Sequence, residues 1–103
     1  MSAQLVVLYH TPVDPTAFEQ YYQGTHVPLA KQIPGLRSYT INKGPIASPA
    51  GASPYFLVAT LAFDSLDALQ SALGSPEGGA AAADVPNFAT GGVTMLMFET
   101  TAL

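Results

Sequence analysis

Cysteine is absent from this 103-residue chain, which excludes disulfides, thiolate nucleophiles, iron–sulfur clusters and cysteine-bound zinc. Tryptophan is absent as well. Positive charge is scarce: Lys31, Arg37 and Lys43 stand against seven acidic residues. Nucleic acid needs a cluster of Lys and Arg to neutralise its phosphates, and three scattered cations do not form one. The same scarcity argues against anionic membrane surfaces. Long apolar runs are missing too. Leu5–Tyr9 is too short for a membrane span or a signal-peptide core. These absences predict a cytoplasmic protein with no nucleic-acid and no membrane partner. Apolar residues, by contrast, make up 49% of the chain. That fraction points to a buried interface or an apolar cavity.

The length suits one domain over residues 1–103. Ala3–His10 is rich in Val and Leu and is closed by Thr11-Pro12, so it reads as a strand. Asp14 is placed to cap a helix that has Pro15 at its first position. Phe18, Tyr21, Tyr22, Thr25 and Leu29 recur at helical spacing as far as Ile33, and Pro34-Gly35 stops the run. Leu36–Lys43 alternates and is more polar, which suits an edge strand. Gly44–Pro54 is dense in Gly, Pro, Ser and Ala and is expected to be a flexible loop. Tyr55–Phe63 is the strongest strand. Ser65 and Ser75 each cap a further helix, the second with Pro76 at its first position. Val85–Gly92 connects to a last strand, Val93–Glu99.

The order strand, helix, strand, strand, helix, strand is the α+β, ferredoxin-like β-α-β-β-α-β pattern, with a four-stranded antiparallel sheet. Two helices cover one face of such a sheet. A wet second face would require alternation in every strand. Leu5–Tyr9, Tyr55–Val58 and Met95–Phe98 are instead apolar on both faces. The bare patch would exceed what soluble monomers tolerate. A second copy packed face to face is the expected cover, giving a homodimeric α+β barrel.

Tyr22 and His26 lie four residues apart and share a helix face. Pro28 lacks an N–H, and its ring collides with the carbonyl of Gly24, so the helix must kink or break around Gly24–Pro28. An imidazole beside this irregularity is a candidate general acid or base. Tyr22 is the candidate orienting hydroxyl. The competing reading is structural: His26 would secure the kink by bonding a freed carbonyl. His10 ends the first strand; it is either a rim residue or a second polar anchor for substrate. Asp84 is a candidate carboxylate near the pocket mouth that orients His26. Glu77 and Asn87 are better explained by helix-end and turn roles. Tyr9, Tyr39 and Phe88 belong to a set of aromatics that fill a core or line an apolar pocket. Two histidines without His-x-x-x-His spacing make no metal motif. No Gly-rich loop follows a strand to seat a nucleotide. No metal and no cofactor is therefore expected.

The run Phe18-x-x-Tyr21-Tyr22-x-x-x-His26-x-Pro28-Leu29, with Pro34-Gly35-Leu36 and Tyr39, resembles the first half of the EthD family, named for ethyl tert-butyl ether degradation. Phe63-Asp64-Ser65, Ala68, Leu73-x-Ser75-Pro76-Glu77-Gly78, Asp84 and Asn87-Phe88-Ala89 resemble its second half. The resemblance implies the dimeric α+β barrel. It also implies kinship with cofactor-free monooxygenases and isomerases that bind a small apolar or aromatic molecule between helix and sheet. On that footing the chain is an oxidoreductase or isomerase with His26 and Tyr22 as catalytic residues, and Tyr9, His10, Tyr39, Asp84 and Phe88 at the substrate. The alternative is a non-catalytic binding or accessory protein of an oxygenase pathway.

Overall fold

Strand β1 (Ser2–His10) forms the spine of the molecule in a computed structural model that describes residues 2–103. Its odd positions, Ala3, Leu5, Val7 and Tyr9, are buried under the helices. Period-two alternation makes this possible, since one face of a strand carries every second side chain. β1 pairs antiparallel with β5 (Tyr55–Phe63) on one side and β6 (Val93–Thr100) on the other. β2 (Ser38–Ile41) adds to β5, giving the order β2-β5-β1-β6. This is the ferredoxin-like sheet that the strand and helix order predicts.

The first helix starts as expected. Asp14 accepts a hydrogen bond from the Ala17 N–H at 3.1 Å, and Pro15 opens α1 (Pro15–Tyr21). The expected kink takes the form of a π-helical turn over Tyr22–His26, in which the Val27 N–H reaches back five residues to the Tyr22 carbonyl. α2 (Val27–Ala30) then continues, with Pro28 near its start. Proline cannot donate to the helix, and one wide turn absorbs the lost bond without ending the helix. Gly35, at φ 79°, turns the chain towards the sheet.

The first helix ends at Ala30, before the expected Ile33, and two further segments differ more from the sequence reading. β2 is shorter than Leu36–Lys43 and does sit on an edge. Asn42 ends its ladder by taking the Val58 N–H on its own side chain, at 2.9 Å. The segment 44–54 is not a featureless loop. It folds into a small hairpin, β3 (Ala47–Ser48) and β4 (Gly51–Ala52). A two-residue turn joins the strands, and Ser48 Oγ donates to the Gly51 carbonyl at 3.0 Å.

Ser65 and Ser75 cap α3 (Leu66–Leu73) and α4 (Pro76–Asp84) by accepting from the Ala68 and Gly78 N–H groups, each at 3.0 Å. A 3-10 turn at Val85–Asn87 leads from α4 towards β6. The core lies between helices and sheet, and includes Leu5, Tyr9, Phe18, Leu61, Phe63 and Leu69.

The opposite face of the sheet carries Val6 and Leu8, with Leu96 opposite Val6 and Val58 opposite Leu8. Leu96 and Phe98 are 50% and 41% exposed, and Met95 and Met97, pointing the other way, are 46% and 49% exposed. β6 is thus an edge strand left uncovered on both faces. Natural proteins do not leave such an edge to water. No helix among the described residues is long and apolar enough to cross a membrane.

Candidate functional site

A cavity of about 50 Å3 lies between the helices and the sheet. Its walls are almost wholly apolar, with Leu5, Val7, Ile33, Leu61 and Val85 among them. The polar side chains that reach it are Tyr9, Tyr22, His26 and Tyr39. Three elements deliver them: β1 presents Tyr9, the π-turn presents Tyr22 and His26 together, and β2 presents Tyr39.

His26 is buried, and its Nδ1 lies 3.0 Å from Asp84 Oδ2. Asp84 is also buried. It accepts a 2.5 Å bond from the Tyr21 hydroxyl and a 3.1 Å bond from Asn87 Nδ2. Burial pushes the Asp84 carboxyl up, but the donors Tyr21, Asn87 and His26 outweigh it and hold the group below its ordinary range. Burial pushes the His26 imidazolium the other way. Its pKa falls below the ordinary 6.5 although Asp84 pulls upward. At neutral pH the pair is therefore a carboxylate and a neutral imidazole. Asp84 only accepts, so the imidazole carries its proton on Nδ1. Nε2 is left as a bare lone pair on a side chain that lines the cavity.

The Tyr22 and Tyr39 hydroxyls bond each other at 2.5 Å. Burial raises the pKa of both phenols, and of Tyr9 as well. All three stay protonated at any working pH. The pair uses one of its two O–H groups internally and keeps the other free to donate.

The sequence-predicted residues thus divide. Tyr9, Tyr22, His26 and Tyr39 meet at the cavity. Tyr22 does not orient His26 through its hydroxyl, because that hydroxyl is spent on Tyr39. The rings merely pack, with centroids 5.2 Å apart. Asp84 does the orienting, from behind the imidazole. Phe88 also stands behind, its ring 4.7 Å from the imidazole and 5.2 Å from Phe18. It buttresses the histidine and is not among the cavity-lining residues. His10 does not join the others. Next to the buried Tyr9 on β1, it falls on the opposite face of the sheet by strand alternation, and its ring packs on Tyr55 at 4.9 Å. Tyr21 was legible only as a helix-face aromatic, and its bond to Asp84 spans 63 positions. Asn87 sits three residues after Asp84, a spacing that does favour contact. Among the described residues, no cluster of three or more His, Cys, Asp or Glu side chains is placed to hold a metal ion.

The fold and the dyad define a class: a ferredoxin-like α+β protein with a buried His–Asp pair facing an apolar chamber. Residues 10–92 match the EthD domain, and the chain belongs to that family. A protein of Rhodococcus erythropolis, described as an uncharacterised 11.0 kDa protein in the thcB–thcC intergenic region, is 44% identical over 96 residues, covering 93% of this chain and 92% of its own. The crystal structure of an EthD family protein from Bacillus halodurans superposes with a TM-score of 0.89 at 35% identity, covering 98% and 100% of the two chains. More distant structures share the fold. SnoaB from Streptomyces nogalater, described as a cofactor-independent oxygenase, gives a TM-score of 0.68 at 18% identity, over 99% of this chain and 95% of that one. A dimeric ferredoxin-like protein from Thermobifida fusca gives 0.71 at 16%, over 97% and 92%.

Proposed function

We propose that the chain is a cofactor-independent enzyme acting on a small apolar organic molecule, with His26 as general base. The observation that carries this reading is the Nδ1–Asp84 bond at 3.0 Å, which leaves Nε2 unprotonated beside an apolar chamber. Removing a proton from an activated C–H or O–H of the substrate forms an imidazolium at His26. Asp84 stabilises that cation through the bond already in place, so little rearrangement is needed. The O–H left over from the Tyr22–Tyr39 pair is suited to a developing oxyanion. Oxidation and isomerisation both begin with such a step. The fold shared with a protein described as a cofactor-independent oxygenase is consistent with the former. The test is an NMR pH titration of the two histidine rings, assigned with His10→Gln. A His26 pKa below the ordinary value, responsive to added small aromatics, is expected. A His26 that titrates at 6.5 and ignores every ligand refutes the base. The second reading is a non-catalytic binding or accessory protein, and a bound ligand recovered unchanged after aerobic incubation would favour it.

The same reading includes a homodimer in which the apolar sheet faces pack together, covering Leu96 and Phe98 on β6. The likeness to proteins described as dimeric supports it. Leu96→Lys places a charge on that face and is expected to yield monomers by light scattering. A monomeric wild type at low micromolar concentration refutes the dimer.

A further inference from the structure

The chamber beside His26 is too small for the substrate it is meant to serve. Sites for organic ligands usually span ~300–1,000 Å3, and this one offers about 50 Å3. A second space lies next to it. A cleft of about 610 Å3 opens between the start of the π-turn and the β3–β4 hairpin. Tyr22 lines both spaces.

The sheet explains why they adjoin. Tyr39 and Ala59 floor the chamber, and Ile41 and Leu57 floor the cleft. Each is two residues along the same strand from its counterpart, a step of ~7 Å. The cleft therefore continues the chamber along β2 and β5 by one side-chain row. Tyr22, which lines both spaces, bonds its hydroxyl at 2.5 Å to that of Tyr39 on the chamber floor.

We propose that the cleft under the β3–β4 hairpin seats the body of the substrate, and that the Tyr22–Tyr39 pair is the port through which its reacting end meets His26. This rests on the His26 reading above and adds where and how the ligand enters. A substrate oxygen that accepts from both phenols replaces the bond the two hydroxyls make with each other, so the port opens without leaving a buried O–H unpaired. The cleft also selects by charge. Glu19 is the charged side chain on its wall, and Gln23 adds a neutral polar group. With a net charge of −4 over the chain, the site favours a neutral ring compound bearing a hydroxyl or keto oxygen over a carboxylate. Asn42 holds the hairpin's near end in place, donating to the Gly44 carbonyl at 2.8 Å.

The test uses 2-naphthol, with 2-naphthoate as the anionic control, titrated into the full-length protein by calorimetry and histidine-ring NMR. Ile46→Trp and Gln23→Trp fill the cleft from its two opposite walls, hairpin and helix, and leave His26 and Asp84 untouched. Amide spectra establish that at least one of them folds. The wild type is expected to bind 2-naphthol with movement of the His26 signals, and to bind the carboxylate more weakly. Each filled variant is expected to lose at least about tenfold in affinity. Tyr39→Phe, which removes the bar, is expected to quicken association. Wild-type protein that fails to bind 2-naphthol overturns the proposal. Filled variants that bind as the wild type does, with the His26 signals still moving, overturn the cleft and leave the base assignment standing. Binding that the filled variants abolish, with no His26 response in the wild type, overturns the port and the base assignment together.

Discussion

Gly78 and Gly79 are neighbours in α4, and replacing each with Ala should have opposite effects. In an exposed helix interior, Gly→Ala stabilises by ~1 kcal/mol through lost chain entropy and better helix propensity. Gly79 meets this condition, since a Cβ added there finds nothing within 4 Å. Gly78 does not. Its Cβ would lie 2.0 Å from the Ala72 carbonyl oxygen and 2.8 Å from Leu73 Cα. Ordinary contact begins near 3.4 Å, so α4 would have to retreat from the end of α3 by more than an ångström. The obstacle is backbone, which cannot swing aside as a side chain would. Overpacking of this kind costs ~1–3 kcal/mol, and the upper part of that range applies here. Subtracting the propensity gain leaves a net loss of ~1–2 kcal/mol. At ~4–8 °C per kcal/mol for a domain of this size, Tm falls by roughly 4–16 °C. Gly79→Ala should raise Tm by a few degrees. Thermal melts at one fixed protein concentration measure both, since a dimer's Tm depends on concentration. A Gly78→Ala variant as stable as Gly79→Ala would refute the close approach of the two helices. The same retreat moves Asp84, six residues on, so Gly78→Ala should also shift the His26 ring signals.

Stability should fall on acidification in two stages. The His26 and Asp84 pKa values are both lowered by folding, from 6.5 and 3.8. The unfolded chain therefore binds more protons in each window, and stability rises with pH there. It is complete above pH 6.5, declines as pH drops through the lowered His26 value, and declines again below 3.8 as Asp84 protonates. His26→Asn puts an amide donor where Nδ1 was and should flatten the first stage in urea midpoints; a protein that gains stability from pH 7 to pH 5 contradicts the assignment. Phe88→Ala removes the ring that touches Tyr9, Phe18 and His26, and should cost ~3–5 kcal/mol by denaturant unfolding. A loss below ~1 kcal/mol would show that Phe88 is not a core support. Arg37 binds Asp64 through two bonds, at 2.9 and 2.7 Å, but both side chains are more than 60% exposed. Arg37→Ala should leave the urea midpoint nearly unchanged, and a large shift would mean the pair is shielded by a partner.

Regular elements were legible because their signals are local. Asp14-Pro15 and Ser75-Pro76 mark helix starts by capping chemistry alone. Tyr55–Phe63 was bounded to the residue because a run of apolar and aromatic residues ends in Asp64-Ser65. The hairpin at residues 47–52 was not legible. Its strands are two residues each, too short for any period to register, and its Gly and Pro content reads as coil. Pro28 foretold an irregularity but not its form. Whether a lost helix bond yields a break, a kink or a wide turn is decided by what the next segment packs against. The site divides in the same way. His26 and Tyr22 were singled out from one helix, whereas the Tyr21–Asp84 and Tyr22–Tyr39 bonds join segments that only the tertiary fold brings together.

Asp84 is the residue whose placement most needs a functional explanation. It is the last residue of α4, where the helix dipole is negative and a carboxylate is repelled. It is also buried, which disfavours charge further. A chain selected for stability alone would place Asn, Ser or Gly there. Instead three side chains from two segments converge to keep the group ionised. Tyr21 ends α1 and His26 ends the π-turn that follows it, where Pro28 removes a helix bond. That turn widens the helix where the two must reach one carboxylate. Proline, π-turn and ionised Asp84 thus serve a single outcome, an imidazole fixed with its free nitrogen towards an apolar chamber. A histidine that only secured a kink would need one backbone carbonyl and no buried anion. The cost of sustaining that anion is what supports the proposed role of the dyad in chemistry.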